Sequence, residues 1–204
     1  MGASEMKTFL HVGCGNSNKS RTTAAFAGDD WQELRFDINE AVHPDIVGNM
    51  LDMNAVATES VDAVFSSHNI EHLYPHEVPV ALAEFLRVLK PDGFAVITCP
   101  DLQSVAALIA EDKLGDQAYM SPSGPIAPLD ILYGYRPQLA AGNLFMAHHC
   151  GFTRKVLGNA LLSCGFKSIA NRRRPAKFDL WALATKQLVP ETELMQLAGK
   201  HLPQ

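Results

Sequence analysis

The 204-residue chain is 47% hydrophobic and 19% charged, the balance of an ordinary globular protein, which excludes a disordered chain, a collagen-like repeat and a disulfide scaffold built on its four cysteines. A chain of this length buries about 70% of the surface it exposes when unfolded, so it needs neither a disulfide nor a structural metal to fold. Its 17 Lys and Arg against 22 Asp and Glu leave a net charge of −5, which gives no electrostatic drive towards nucleic acid or an anionic membrane.

Met1–Val12 lacks a basic stretch followed by a long apolar run, and no segment approaches the roughly 20 apolar residues of a membrane span. Cys14, Cys99, Cys150 and Cys164 show no Cys-x-x-Cys spacing. These features predict a protein of the reducing cytoplasm.

From residue 8 to residue 100 short β-type runs alternate with helical or turn-rich stretches. Thr8–Val12 is a first run, ending in Gly13-Cys14-Gly15; residues 33–37 form a second, ending in Asp37; residues 61–67 form a third. In residues 77–89, Val78, Ala81, Leu82, Phe85, Leu86 and Leu89 recur at spacings of three and four and predict an amphipathic helix, which Lys90-Pro91-Asp92-Gly93 should stop. Residues 94–99 read as a buried strand. Strands joined by crossovers imply a parallel α/β sheet, whose ligands sit beyond the carboxyl ends of the strands, here at Gly13, Asp37, Ser67 and Pro100.

Residues 101–148 differ in kind. A helix is expected through Lys113, followed by a turn-rich stretch that keeps Leu129, Ile131, Leu132, Tyr133 and Tyr135, the makings of a lid or acceptor pocket. Thr153 should cap a helix running to Cys164, with Gly165 ending it. Two β-type runs, 166–171 and 178–185, are expected to form a hairpin with the basic run Arg172–Arg174 in its solvated turn. A helix from about Glu191 to Leu202 closes the chain.

The first motif is His11-Val12-Gly13-Cys14-Gly15-Asn16-Ser17, in which glycines let backbone approach a ligand and a following helix N-terminus would offer N–H donors to an anion. It lacks the third glycine of the dinucleotide fingerprint, whose place falls at Asn18. Asp37 at a strand end suits the ribose hydroxyls of a nicotinamide or an adenosyl cofactor, or simply a solvated strand end or a helix cap. Leu51-Asp52-Met53 sets an acid between two apolar side chains, as an adenine edge and its faces require. His68-x-x-Glu71-His72 has the letters of an inverted zinc-peptidase motif. Its place directly after a buried strand, with Tyr74-Pro75 close behind, argues against the helix that such a site needs, and no metal is expected.

Taken in order, FLHVGCG, LRFDI, GNMLDM, VDAVFSSHNIEHL, EFLRVLKPDGFAVITCPD and the later HHCGFTRKVLGNALLSCGF resemble the class I S-adenosylmethionine-dependent methyltransferases. His11 stands where many members carry an acidic residue, and Ser17 where many carry a third glycine. The resemblance implies a Rossmann-like, mostly parallel seven-stranded α/β sheet with a C-terminal antiparallel hairpin and helices on both faces. It implies a single domain over 1–204: a cofactor-binding core at 8–100, a lid or acceptor-site insertion at 101–148, completion of the sheet at 149–186 and a helix at 187–204. By the same resemblance Gly13, Cys14 and Gly15 approach the methionyl part of S-adenosyl-L-methionine. Asp37 holds the ribose, Ile38 packs on adenine, Asp52 with Leu51 and Met53 reads its edge, and Ser67 with His68 lines the region below the sulfonium.

Methyl transfer is an in-line displacement that depends on positioning. A hydroxyl acceptor also needs a base, and histidine, with its ordinary pKa near 6.5, is the natural one. His68, His72, His148 and His149 are the candidates, with His68, after the strand nearest the methyl group, the first choice and His149, just before Gly151-Phe152-Thr153, the second. Asp101, Tyr133 and Tyr135 are candidates for contact with the acceptor. The expected acceptor is a small molecule or glycan precursor, not nucleic acid. The alternatives are a non-catalytic S-adenosylmethionine-binding protein and a zinc hydrolase built on His68, Glu71 and His72.

Overall fold

A computed structural model describes residues 6–203; the two ends of the expected domain, 1–5 and 204, lie outside the described residues. The sheet is built from β1 (Lys7–Val12), β2 (Trp31–Asp37), β3 (Ile46–Val47), β4 (Val61–Ser67), β5 (Leu89–Pro100), β8 (Ser168–Arg174) and β9 (Asp179–Thr185) in the order β3-β2-β1-β4-β5-β9-β8. Pairing is parallel from β3 to β5 and antiparallel for β5–β9 and β8–β9. Strand order reverses at β1, which lies between β2 and β4, so the crevice for a ligand opens beyond the carboxyl ends of these three strands.

Alternate residues of the central strands enter different cores, as the two-residue period of a strand requires. Leu10, Val12, Val64, Ala95 and Ile97 pack with α1 (Val78–Val88) and α5 (Arg154–Ser163). Phe9, Phe65, Phe94 and Val96 pack on the other face with α6 (Glu191–His201). Strand β4 is almost continuously apolar because both of its faces are covered. Helix α5 begins where its cap residue predicts, with Thr153 Oγ1 accepting from the Val156 amide, and Gly165 follows it at φ +110°.

Three expectations are corrected. The Gly13–Gly15 loop is not followed by an α-helix but by a 3-10 turn, Lys19–Arg21. On that face Phe26 fills the space, stacked on Phe9 at 4.4 Å and edge-on to Trp31 at 4.9 Å. Helix α1 does end at Val88, before Lys90–Gly93 as expected, but these four residues lie inside β5 and not between two elements: the register jumps from Val61↔Leu89 to Ala63↔Phe94, so they loop out as an irregularity within the strand. Finally, Arg172–Arg174 belong to β8 and not to its turn, which is the 3-10 segment Pro175–Lys177. Each arginine has a partner: Arg172 donates to the Pro203 carbonyl, Arg173 pairs with Asp101, and Arg174 pairs with Asp179.

Residues 101–148 contain α2 (Leu102–Ala110), the two-stranded ribbon β6 (Tyr119–Ser121) and β7 (Gly124–Ile126), α3 (Pro128–Tyr133) and α4 (Arg136–Ala140). Val105, Ile126 and Ile131 give the segment its own small core. Among the described residues no helix is long and apolar enough to cross a membrane.

Candidate functional site

A cavity of about 600 Å³ lies beyond the carboxyl ends of β1, β2 and β4. Its wall starts at Gly13, whose φ is +64° and where an added Cβ would fall 2.1 Å from Asn69 Oδ1. Only glycine fits this position. The Asn69 amide nitrogen donates to the Val12 carbonyl (2.9 Å), Ser66 Oγ (3.1 Å) and the Ser67 carbonyl (3.1 Å), clasping the ends of β1 and β4. Opposite, Asp37 accepts from the amides of Gly15 (2.7 Å) and Asn39 (2.8 Å), one on each carboxylate oxygen. Each oxygen keeps a further lone pair to offer a ligand.

The loop is fixed from outside by charge. Arg35 donates to the carbonyls of Gly15 (2.6 Å) and Ser17 (3.2 Å). His11 Nδ1 lies 2.6 Å from Glu33 Oε1, while Glu33 Oε2 accepts from the Lys19 amide at 2.8 Å. Burial holds the His11 pKa below its ordinary value although Glu33 pulls it up.

The structure brings Gly13, Gly15, Asp37, Ile38, Leu51, Ser67, His68 and His149 into the wall of this one cavity. Cys14, Asp52 and Met53 are not in the wall. Cys14 is buried, Asp52 is exposed to solvent, and Met53 is a core residue whose amide donates to Glu84 Oε2 at 2.7 Å. The sequence reading missed Asn69, Asn49 and Met50, and also Leu144 and Phe145, which stay 71% and 69% exposed at the rim. An asparagine directly beyond a buried strand was a signal for the first of these; the last two depend on how the 101–148 segment folds back.

A second cavity of about 410 Å³ lies between the sheet edge and the 101–148 segment, with Tyr119, Ile126, Ile131, Tyr135 and His148 from the segment facing Pro100, Arg174 and Asp179. His68, His72 and Met146 belong to both walls, so the cavities adjoin there. Tyr135 lines the second cavity and donates its hydroxyl to the Ser123 carbonyl at 2.6 Å. Tyr133 points elsewhere and is 62% exposed. Asp101 is fully buried, capping α2 and bonded to Ser104 Oγ and Arg173, so it is not an acceptor contact.

His68 sits deep within the protein envelope at φ +54°, yet its side chain is 48% exposed because it faces the two cavities. A non-glycine residue in this region is strained and is held by its surroundings, here by its amide donating to the Thr98 carbonyl at 2.9 Å. Its Nδ1 lies 3.3 Å from Oε1 of the buried Glu71. Burial alone would lower the His68 pKa, but the Glu71 carboxylate outweighs it and raises the value. For Glu71 burial works upward, and contact with His68 together with the charges of His72 and His148 brings the net shift below the ordinary carboxylate value.

The HxxEH letters do not form a helical metal site. Glu71 and His72 lie on a 3-10 turn, Ile70–His72, with His68 outside it, and the group that gathers around Glu71 is His72 with His148.

Residues 10–97 match the family model described as a methyltransferase domain. Among solved structures the chain is similar to a SAM-dependent methyltransferase from Archaeoglobus fulgidus (14% identity, TM-score 0.59, covering 90% of this chain and 87% of that one). It is similar to 1,6-didemethyltoxoflavin-N1-methyltransferase from Burkholderia thailandensis, solved with 1,6-didemethyltoxoflavin and S-adenosylhomocysteine (15%, TM-score 0.56, 89% and 72%). It is also similar to a possible exported protein from Bordetella parapertussis, of whose length it spans 63% (17%, TM-score 0.57, 90% of this chain). At such identities the likeness is one of fold. No curated protein matches the sequence. The methyltransferase-domain match lies on β1 to β5, the strands that carry the Gly13 loop, Asp37 and the reversal of strand order, and over the whole chain the fold is similar to that of the SAM-dependent methyltransferase among these structures.

Proposed function

We infer that the protein transfers a methyl group to a small-molecule or glycan-type acceptor bound in the 410 Å³ cavity, with the cofactor in the 600 Å³ cavity. The observation that carries this reading is the junction: two cavities of suitable size share His68, His72 and Met146. The residues present fit the cofactor, since the Gly13 cradle leaves no room for a side chain, Asp37 offers a carboxylate to hydroxyls, and Ile38, Leu51 and Met50 offer apolar contact. When bound, S-adenosylmethionine supplies the methyl group; its C–S bond breaks as the bond to the acceptor forms, and the electron pair stays on sulfur.

The protein's part is to hold, align and deprotonate. Gly13, Gly15, Asp37, Ile38 and Leu51 form the cofactor cradle, with Asp52, Met53 and Cys14 supporting it from outside the wall. Ser67 and His68 stand at the junction, and alignment of acceptor and methyl donor there is the main catalytic contribution. His68 is the first choice of general base: with Nδ1 turned to Glu71, its Nε2 is free to take a hydroxyl proton. His149 is the second choice, because it lines only the cofactor cavity, stacked on Tyr74 at 4.3 Å. Residues 101–148 serve as acceptor wall and lid, and the antiparallel pair β8–β9 is the terminal hairpin of the Rossmann-like sheet. The free cysteines and the charge suit a cytoplasmic protein.

The test is calorimetric titration with S-adenosylhomocysteine, followed by transfer of labelled methyl groups to a panel of hydroxyl, amine and carboxyl acceptors. Saturable binding with turnover on a small acceptor is expected. Absence of binding at millimolar ligand would overturn the reading.

A further inference from the structure

Glu71 is 1% exposed, lines the second cavity, and accepts no hydrogen bond on either carboxylate oxygen. A carboxylate taken out of water is costly unless it is paired and hydrogen-bonded, and His68 Nδ1 at 3.3 Å is near it without completing a hydrogen bond. The other carboxylates of that cavity are satisfied: Asp130 is paired with Arg136, and Asp179 with Arg174.

Two imidazoles converge on the orphaned group. The ligating atoms of Glu71, His72 and His148 all lie within 4.8 Å of one another. His72 Nδ1 is 3.0 Å from the Ala147 carbonyl, and His148 Nδ1 is 2.8 Å from the Ile131 carbonyl. A carbonyl only accepts, so in both rings Nδ1 carries the proton and Nε2 keeps the lone pair. This is the tautomer and the backbone contact that orient metal-ligating histidines.

We propose that Glu71, His72 and His148 form a divalent-cation site at the junction of the two cavities, suited to a first-row transition ion such as Zn²⁺ or Mn²⁺. Two imidazole nitrogens and one carboxylate favour such ions over Mg²⁺ or Ca²⁺, which seek oxygen ligands throughout. Three protein ligands leave coordination positions open, and these face the acceptor cavity. The role of the site rests on the methyl-transfer reading: it selects acceptors that present an oxygen, and a bound hydroxyl there gives up its proton more readily. The sequence alone gave no metal, because the helical HxxEH pattern fails; folding replaces His68 with His148.

The test uses the full-length protein stripped with chelator and titrated calorimetrically with Zn²⁺, Mn²⁺ and Mg²⁺. A saturable site is expected for Zn²⁺ or Mn²⁺, weakened by about tenfold or more in Glu71→Gln and in His148→Gln, and unchanged in Cys150→Ser. Parent and Glu71→Gln are melted metal-free only to confirm that both fold, since the variant gives up its ion pair with His68 as well as a buried charge. Should the variants not fold, the Co²⁺ spectrum of the parent decides: nitrogen and oxygen ligation supports the site, while thiolate ligation or no bound Co²⁺ overturns it. No saturable uptake, or uptake unaffected by both variants, also overturns it. S-adenosylhomocysteine is titrated into the same stripped protein, so that cofactor binding without cation uptake removes the cation site alone. Cation uptake without cofactor binding upholds the site and removes the methyl-transfer reading.

Discussion

His72 and His148 meet edge to face, ring centroids 4.8 Å apart, and so join the turn that follows β4 to the end of the 101–148 segment. Backbone bonds complete the seam: the amides of His149 (2.8 Å) and Cys150 (3.2 Å) both donate to the Glu71 carbonyl. The segment is therefore pinned at its end, whereas the 3-10 turn Leu144–Met146 just before it contains no buried residue. Amide hydrogen exchange followed by mass spectrometry should show His149 and Cys150 exchanging about tenfold or more slowly than Leu144–Met146, with motion of the cavity rim confined to the exposed turn.

The two loop glycines should behave differently. Both have positive φ, so alanine at either costs about 1–2 kcal/mol in backbone strain. At Gly15 an added Cβ meets nothing within 4 Å, and that strain is the whole expected loss. At Gly13 it meets the Asn69 amide, which holds β1 to β4, so Gly13→Ala should lose clearly more stability in urea and bind no S-adenosylhomocysteine. Equal urea midpoints for the two variants would refute this account of the cradle.

Asp37 is predicted to dominate cofactor affinity. Hydrogen bonds to a charged group are worth about 1.5–3 kcal/mol, so Asp37→Ala should weaken S-adenosylhomocysteine roughly tenfold to a hundredfold by calorimetry. Asp52, solvent-exposed and outside the cavity wall, should matter less. A larger loss for Asp52→Ala than for Asp37→Ala would reverse this assignment.

What the sequence made legible was local or periodic. Residues 61–67 matched their strand, the α1 face followed from spacing, and Thr153 marked the start of α5. The Gly13, Asp37 and Ser67 strand ends were legible too, because a parallel sheet must gather them at one edge. What could not be read was the set of contacts made between distant segments. Three successive arginines look like a solvated turn until Arg173 is paired with Asp101, 72 residues away. His72 finds the Ala147 carbonyl across 75 residues, and only that return brings His148 to Glu71.

The Arg173–Asp101 pair supplies a stability prediction. Asp101 is fully buried, and Arg173 Nε reaches its Oδ2 at 2.8 Å while Nη2 reaches the same oxygen at 2.7 Å. Removing one partner of such a pair strands the other charge at a cost of about 3–5 kcal/mol, and the 27% exposure of Arg173 places this case at the lower end. Arg173→Ala should therefore lower unfolding free energy by about 3 kcal/mol in a urea titration, whereas Arg172→Ala, which loses only a bond to the Pro203 carbonyl, should cost about 1 kcal/mol.

His201 sets an acid limit on stability. It is packed among Phe26, Phe94 and Trp31, with Nδ1 3.0 Å from Thr23 Oγ1. Burial, helped by the positive charge of Lys200, lowers its pKa from 6.5 to about 4. Between these values the unfolded chain binds the proton and the folded one does not, so acid favours unfolding and stability falls as pH drops from 6.5 towards 4. The linkage amounts to about 3 kcal/mol across that window. His11 and His148, both lowered by burial, act in the same direction, while His68, raised by Glu71, acts in the other. Urea midpoints measured at steps from pH 7 to pH 4.5 should fall less steeply for His201→Gln than for the parent, with the two curves drawing together at the acid end. Parallel curves would mean that His201 takes up its proton without disturbing the aromatic core.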